Sequence, residues 1–247
     1  AFGAAHRAHA STEGMARLVP IRAAGLLMRK EVEALSRITH NPARPLVTIL
    51  GGAKVSDKIK IIDHLLTKVD TLLIGGAMAY TFLRAQGHST GDSLVEEDCI
   101  EVARTVLARA KELGVALRLP IDHLVTTALD GSAAAEITVE IPAGKKGVDI
   151  GPASIAIYRT AIAGARTIFW NGPMGIFEVD AFSAGTMAIA DAMAESSALT
   201  VVGGGDSIAA LARSGRSDDI THISTGGGAS LEFLEGRKLP GLAVLEQ

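Results

Sequence analysis

Leu46-Val47-Thr48-Ile49-Leu50-Gly51-Gly52-Ala53-Lys54-Val55-Ser56-Asp57-Lys58 sets a short apolar run directly against a glycine pair and two lysines. The run 46–50 has the length and β-branched content of a buried strand, and residues 56–68 read as an amphipathic helix after it. The same unit recurs outward from there. Strands are expected at 71–74, 115–119, 123–127, 166–170, 199–202 and 221–224, with helices at 77–86, 95–113, 152–162, 183–195, 207–213 and 229–235. Upstream, apolar Ile21, Ala24, Met28, Val32, Leu35 and Ile38 recur at spacings of three and four, which predicts a helix over 21–38. Asn41-Pro42 and Pro45 end it. The first twenty residues, with Gly3, Gly14 and Pro20, read as loop. Strands alternating with helices predict the α/β class: a parallel, Rossmann-like sheet covered on both faces, three layers in all. The helix over 21–38 precedes that sheet and reads as a connector between domains.

Composition narrows the function classes. With 48% hydrophobic and 21% charged residues, the chain has the profile of a soluble globular protein. A net charge of −3 provides no general attraction to nucleic acid or to an anionic membrane. The longest apolar stretch, over 71–83, is too short and too glycine-rich to cross a bilayer. The one cysteine, Cys99, allows no disulfide within the chain and fits a reducing, cytoplasmic setting. The N-terminal residues lack both a signal-peptide pattern and an initiator Met, so the chain reads as cut or incomplete.

Chemistry concentrates where strands end. Five expected strands run into glycine-rich turns: Gly51-Gly52-Ala53-Lys54, Gly75-Gly76-Ala77-Met78, Asn171-Gly172-Pro173-Met174-Gly175, Gly203-Gly204-Gly205-Asp206-Ser207 and Thr225-Gly226-Gly227-Gly228. Ligands of open parallel sheets bind outside the carboxyl ends of the strands. Glycine lets the backbone approach a ligand, and a helix start offers free N–H groups to phosphate. Five such turns on one edge point to a nucleotide or polyphosphate. Neither GxxxxGK[ST] nor GxGxxG occurs at the first strand, so the common phosphate-binding and dinucleotide fingerprints are excluded there.

The charged residues admit two readings each. Lys54 and Lys58 are either solvated lysines or a phosphate clamp, since a helix start disfavours cations unless an anion sits there. Asp206 can cap its helix, hold Mg²⁺, or do both. Glu178 is a solvated loop acid or an acceptor for ribose hydroxyls. His64, His88 and His222 lack metal spacing, Glu96-Glu97-Asp98 reads as the acidic first turn of a helix, and Cys99 as a small buried residue.

Taken in order, the five glycine turns, with Ile59, Ala79, Trp170, Glu178 and Ala229 around them, resemble the signatures of phosphoglycerate kinases, and the resemblance runs from Ala1 to Gln247. It implies the C-terminal, nucleotide-binding domain of that fold and reversible, Mg²⁺-dependent phosphoryl transfer between 1,3-bisphosphoglycerate and ADP. By resemblance, Lys58 contacts the nucleotide phosphates and Lys54 the phosphoryl group in flight. Gly52, Gly75 and Gly76 line the adenosine pocket, which Pro173 closes. Asn171 reaches the phosphates and Glu178 the ribose. Asp206 ligates Mg²⁺, the backbone of Gly204, Gly205 and Ser207 cradles phosphate oxygens, and Gly227 and Gly228 start a helix aimed at the transferring group. Arg7 touches the 3-phosphoglycerate end. Positioning and charge neutralisation suffice for such a reaction, and glycines, lysines and one carboxylate are consistent with it.

The resemblance also divides the chain. Residues 1–20 correspond to the end of a substrate-binding N-terminal lobe and 21–38 to the interdomain helix. Residues 39–235 form the nucleotide domain, and 236–247 a tail returning to that lobe. The Asp-x-Asn motif and most of the Arg and His that bind the sugar phosphate are absent. The expectation is a chain that binds ATP or ADP by itself and turns over only with the other lobe, the whole protein being a monomer. The connector helix and the tail are expected to expose apolar surface.

Overall fold

The computed structural model describes residues 2–246; Ala1 and Gln247, the outermost residues of the two terminal segments, lie outside them. Among the described residues the strands are β1 (Leu46–Leu50), β2 (Thr71–Ile74), β3 (Ala116–Arg118), β4 (His123–Thr126), β5 (Glu136–Thr138), β6 (Lys146–Ile150), β7 (Thr167–Asn171), β8 (Leu199–Gly203) and β9 (His222–Ser224). The helices are α1 (Met15–Arg17), α2 (Leu26–Thr39), α3 (Ile59–Leu65), α4 (Met78–Ala85), α5 (Ile100–Glu112), α6 (Pro152–Ala163), α7 (Ala184–Ala194), α8 (Gly205–Ser214), α9 (Gly228–Leu234) and α10 (Pro240–Ala243).

Six strands form one parallel sheet in the order β3-β2-β1-β7-β8-β9. Every residue of β1 and β7 is buried, as expected of strands covered on both faces. The period of two sorts their side chains. Leu46, Leu50, Leu72, Ile74, Phe169 and Val201 join a core with α2, α3, α4, α5 and α9. Val47, Ile49, Leu73, Ile168, Trp170 and Val202 join a second core with α6, α7 and α8. The chain leaves β1 for β2 and β3 on one side, then returns to build β7, β8 and β9 on the other. The gap between β1 and β7 is therefore the topological switch point, where open α/β sheets place their ligand.

The remaining strands form a separate antiparallel sheet, β5-β4-β6. This corrects the expectation that 123–127 belongs with the parallel strands, and neither β5 nor β6 was expected. The β4–β6 register slips between Leu124 and Val125, leaving Val148 of β6 bulged and unpaired. The Val148 carbonyl instead accepts the Ile176 N–H at 2.8 Å, fastening this small sheet to the turn after β7.

Several helix boundaries differ from expectation, and the helix expected over 95–113 is a short turn at Glu97–Cys99 followed by α5 from Ile100. The connector begins at Leu26 because Gly25 is extended, and residues 21–25 carry no helix. The helix expected from 56 starts at Ile59, after a turn over Ser56-Asp57-Lys58. The first twenty residues hold short helical turns rather than loop alone, at Phe2–Ala4, Ala10–Gly14 and α1. Phe2, Leu35 and Leu239 all enter the first core. Contrary to expectation the tail hides its apolar residues: Leu239 and Val244 are buried, and the Gly241 N–H donates to the Ala5 carbonyl at 2.9 Å. The connector does expose Ile21, Leu26 and Leu27.

Tyr158 of α6 ties the carboxyl ends of two strands together. Its buried hydroxyl lies 2.5 Å from the Ile74 carbonyl and 3.2 Å from that of Arg118, and burial holds the phenol far above its ordinary pKa, keeping it a donor. Tyr158→Phe leaves a buried carbonyl short of its donor and should lower unfolding stability by about 1–2 kcal/mol in urea titration. A loss within error would show that these carbonyls find other donors.

Candidate functional site

Register sets the site. Leu50 lies level with Ile74 on one side and Asn171 on the other, so the turns after β1, β2 and β7 begin at the same height. They interlock by backbone. Gly51 donates to the Asn171 carbonyl, Gly52 to Pro173 and Gly76 to Met174, at 2.9–3.0 Å. A Cβ on Gly51 would sit 2.1 Å from the Pro173 carbonyl oxygen, and one on Gly172 equally close to that of Gly51. Gly76 has φ +67° and would place a Cβ 2.5 Å from the Gly52 nitrogen. These glycines answer first to their neighbours. Gly52, Gly205 and Gly227 differ, because a Cβ there would meet only open space.

A cleft of about 600 Å³ opens above this junction. Gly52, Gly76, Pro173, Glu178 and Asp206, all singled out from the sequence, line it. Lys58 approaches from the turn before α3 and donates to the Asn171 side-chain carbonyl, while the Asn171 amide donates to the Gly203 carbonyl at 2.7 Å. Asn171 thus fixes the lysine to the β8 turn. Burial pushes the Lys58 ammonium below its ordinary pKa, against the pull of Asp57 and Asp206. Gly204 packs against the Asn171 amide, and the buried Ser207 hydroxyl accepts the Gly172 N–H at 2.5 Å. Trp170, beneath the same turn, donates its indole N–H to the Gly172 carbonyl at 2.7 Å.

Other expected residues lie elsewhere. Gly75 is buried under Met174 and does not face the cleft. Asp206 makes no capping bond: Gly204 is the N-cap of α8, and Asp206 lies exposed in its first turn. Gly227 and Gly228 begin α9 beyond the cleft, and a Cβ on Gly228 would lie 3.5 Å from the His6 imidazole. Arg7 is exposed beside His6 at that end.

Three features escaped the sequence reading. Glu96 does not merely begin a helix. Its carboxylate accepts the Val55 N–H, the Ser56 N–H at 3.1 Å and the Ser56 hydroxyl at 2.6 Å, holding the loop that carries the exposed Lys54. Burial raises the Glu96 pKa, but these hydrogen bonds and the Lys54 charge outweigh it and hold the carboxyl low. Glu31 of α2 is buried and takes His222 at 2.9 Å together with the N–H and hydroxyl of Thr225, which pins the β9 turn. The far wall of the cleft comes from Tyr80, Leu94, Leu129 and the β6 residues Lys146, Gly147 and Val148. Glu96 and Glu31 leave no periodic trace, since each acts across the fold on backbone donors.

No three His, Cys, Asp or Glu side chains gather to hold a metal among the described residues. Mg²⁺ commonly takes one or two carboxylates and completes its shell with waters and substrate phosphates. The lone, exposed Asp206 fits a cation that arrives on a phosphate and does not fit a resident protein cage. No described helix is long and apolar enough to cross a membrane.

Fold and site together define a doubly wound α/β protein with a glycine-walled cleft at its switch point. The family model described as phosphoglycerate kinase matches residues 1–237, and the chain belongs to that family. It is 58% identical over 247 residues to the phosphoglycerate kinase of Solibacter usitatus and 55% identical over 251 residues to that of Acidobacterium capsulatum. It covers 62% of the length of each of those relatives, which in turn cover 100% of this chain. The solved phosphoglycerate kinase of Coxiella burnetii superposes with a TM-score of 0.97 at 46% identity, matching 100% of this chain and 64% of that one. For the enzyme of Pyrococcus horikoshii the TM-score is 0.86 at 36% identity, matching 100% and 62%.

Asp149 underlies the cleft wall. Buried at the end of β6, it accepts the Gly185 N–H at 2.6 Å and its neighbour Ile150 N–H at 2.9 Å, and it abuts Gly175. Burial outweighs those bonds and pushes its pKa up to about 7. A carboxyl raised in the folded state favours folding below its unfolded pKa and loses that contribution as pH rises through the folded value. Stability of Asp149→Asn relative to the parent should therefore climb between about pH 4 and pH 7, by at most about 1.4 kcal/mol per pH unit, and level off above that. Urea melts of both proteins across that range check the slope; a flat difference means that Asp149 titrates alike folded and unfolded.

Proposed function

We propose that the cleft binds ADP or ATP, and that this chain supplies the nucleotide half of a reversible glycolytic phosphoryl transfer. The reaction moves a phosphoryl group from the acyl phosphate of 1,3-bisphosphoglycerate to ADP, giving 3-phosphoglycerate and ATP, and runs in both directions. The convergence of Lys58, Asn171 and Asp206 with open glycine turns at the β1/β7 switch point carries this reading.

In it, the apolar walls receive the adenosine, with Glu178 at the ribose and Gly52, Gly76 and Pro173 against the base. Lys58, oriented by Asn171, meets the phosphates, and the start of α8 offers the N–H groups of Gly205 and Ser207. Asp206 would hold Mg²⁺, which supplies charge neutralisation on the phosphate oxygens. Lys54, on the loop fastened by Glu96, meets the charge that develops on the transferring group, and Gly227 and Gly228 present the start of α9 to it. Arg7 and the exposed connector face the acceptor side. The remaining length of the relatives would supply most acceptor contacts, so the 247-residue chain by itself binds nucleotide without turnover.

Calorimetric titration of the purified chain should give saturable binding of Mg-ADP and none of 3-phosphoglycerate. Absence of nucleotide binding by a chain with a folded circular-dichroism spectrum would refute the reading, and robust turnover in a coupled assay would refute the division of labour. In a protein extended to the length of its relatives, Lys54→Ala should lower kcat by about 10²-fold while the Mg-ADP Kd changes less than about threefold. Equal losses in both would place Lys54 in ground-state binding.

A further inference from the structure

Lys146 stands apart in the cleft. It is half-buried on β6, two residues before Val148, and both side chains line the cavity. Its neighbour Lys145 pairs with Glu136, whereas Lys146 makes no ion pair and no side-chain hydrogen bond among the described residues. The wall around it is largely apolar, with Leu94 and Leu129 each about half exposed beside Val148 and Ile176, and Asp92 is the acidic residue that lines the cleft on the same side, its N–H donating to the Lys145 carbonyl at 2.8 Å. The phosphate-directed groups, Lys58, Asn171 and the β8 turn, gather instead at the sheet edge. A cation on an apolar wall away from the phosphates has a planar base as its natural partner.

We propose that Lys146 reads the edge of the purine and biases this cleft toward 6-oxopurine nucleotides, guanine or hypoxanthine, relative to adenine. The inference rests on the reading that the cleft takes a nucleotide, and deepens it. An ammonium has three donors and no acceptor. Guanine and hypoxanthine present two adjacent acceptors, O6 and N7, whereas adenine replaces O6 with an amino donor that repels the cation. The discrimination is carried by one charge-assisted hydrogen bond, worth about tenfold in affinity. The register slip leaves Val148 unpaired in its sheet, and its carbonyl, bonded to the Ile176 N–H, fastens this stretch of β6 to the turn after β7.

The test is titration of the 247-residue chain, Lys146→Met and Lys146→Arg with Mg-ADP, Mg-GDP and Mg-IDP. The expected result is a shift of about tenfold in the GDP-to-ADP and IDP-to-ADP affinity ratios toward ADP in Lys146→Met, with the parent ratios retained in Lys146→Arg. Unchanged ratios in Lys146→Met, with ADP still bound, overturn this inference and leave the nucleotide reading intact. An equal loss for all three nucleotides also overturns it, marking a contact with phosphate or ribose. Failure of the folded parent to bind any of the three overturns both.

Discussion

The pairing of β1 with β2 on one side and β7 on the other governs the rest of the molecule. Because Leu50, Ile74 and Asn171 share one level, three turns are forced into the same small volume at the carboxyl edge. The turns after β1 and β2 each donate backbone N–H groups to the turn after β7, and room for that exchange exists only where side chains are missing, at Gly51, Gly76 and Gly172. The cleft is what this crowded junction leaves open above itself. Lys58 and Asn171 then carry its influence sideways to the β8 turn through one chain of hydrogen bonds.

The opposite wall has a different origin. A three-stranded antiparallel sheet stands beside the parallel one and reaches the site through a bulge at Val148. Its close approach depends on small residues: a Cβ on Gly147 would strike the Tyr80 hydroxyl, and one on Gly175 the Val148 carbonyl. Asp149 is buried behind this seam and serves backbone donors. The cleft thus joins a rigid floor, made by sheet register, to a wall made by side-chain packing.

The parallel sheet is legible in the sequence because five of its six strands lead into glycine-rich turns, and the candidate residues around Gly52, Lys58, Asn171 and Asp206 lie in or beside those turns. What stays hidden is non-local. Lys146-Gly147-Val148-Asp149-Ile150 offers no apolar run, since a lysine and a glycine occupy its first two places. Glu136–Thr138 spans three residues held by pairing with β4. Gly25 delays the connector helix although apolar spacing continues upstream of it, an instance of backbone conformation overriding pattern. Gly75 has the look of a ligand-facing glycine and is required instead by Met174. Glu31 and Glu96 act on turns far away in the chain, which no window of sequence contains.

Trp170 is the chain's one tryptophan. It is fully buried between the sheet and the second core, with its indole bonded to the turn that walls the cleft. Tryptophan fluorescence from this protein therefore originates at a single buried position next to Asn171. Its emission colour and quenching report the order of that turn directly. A shift toward longer wavelength that precedes loss of helical signal would mark the cleft floor loosening before the fold as a whole gives way.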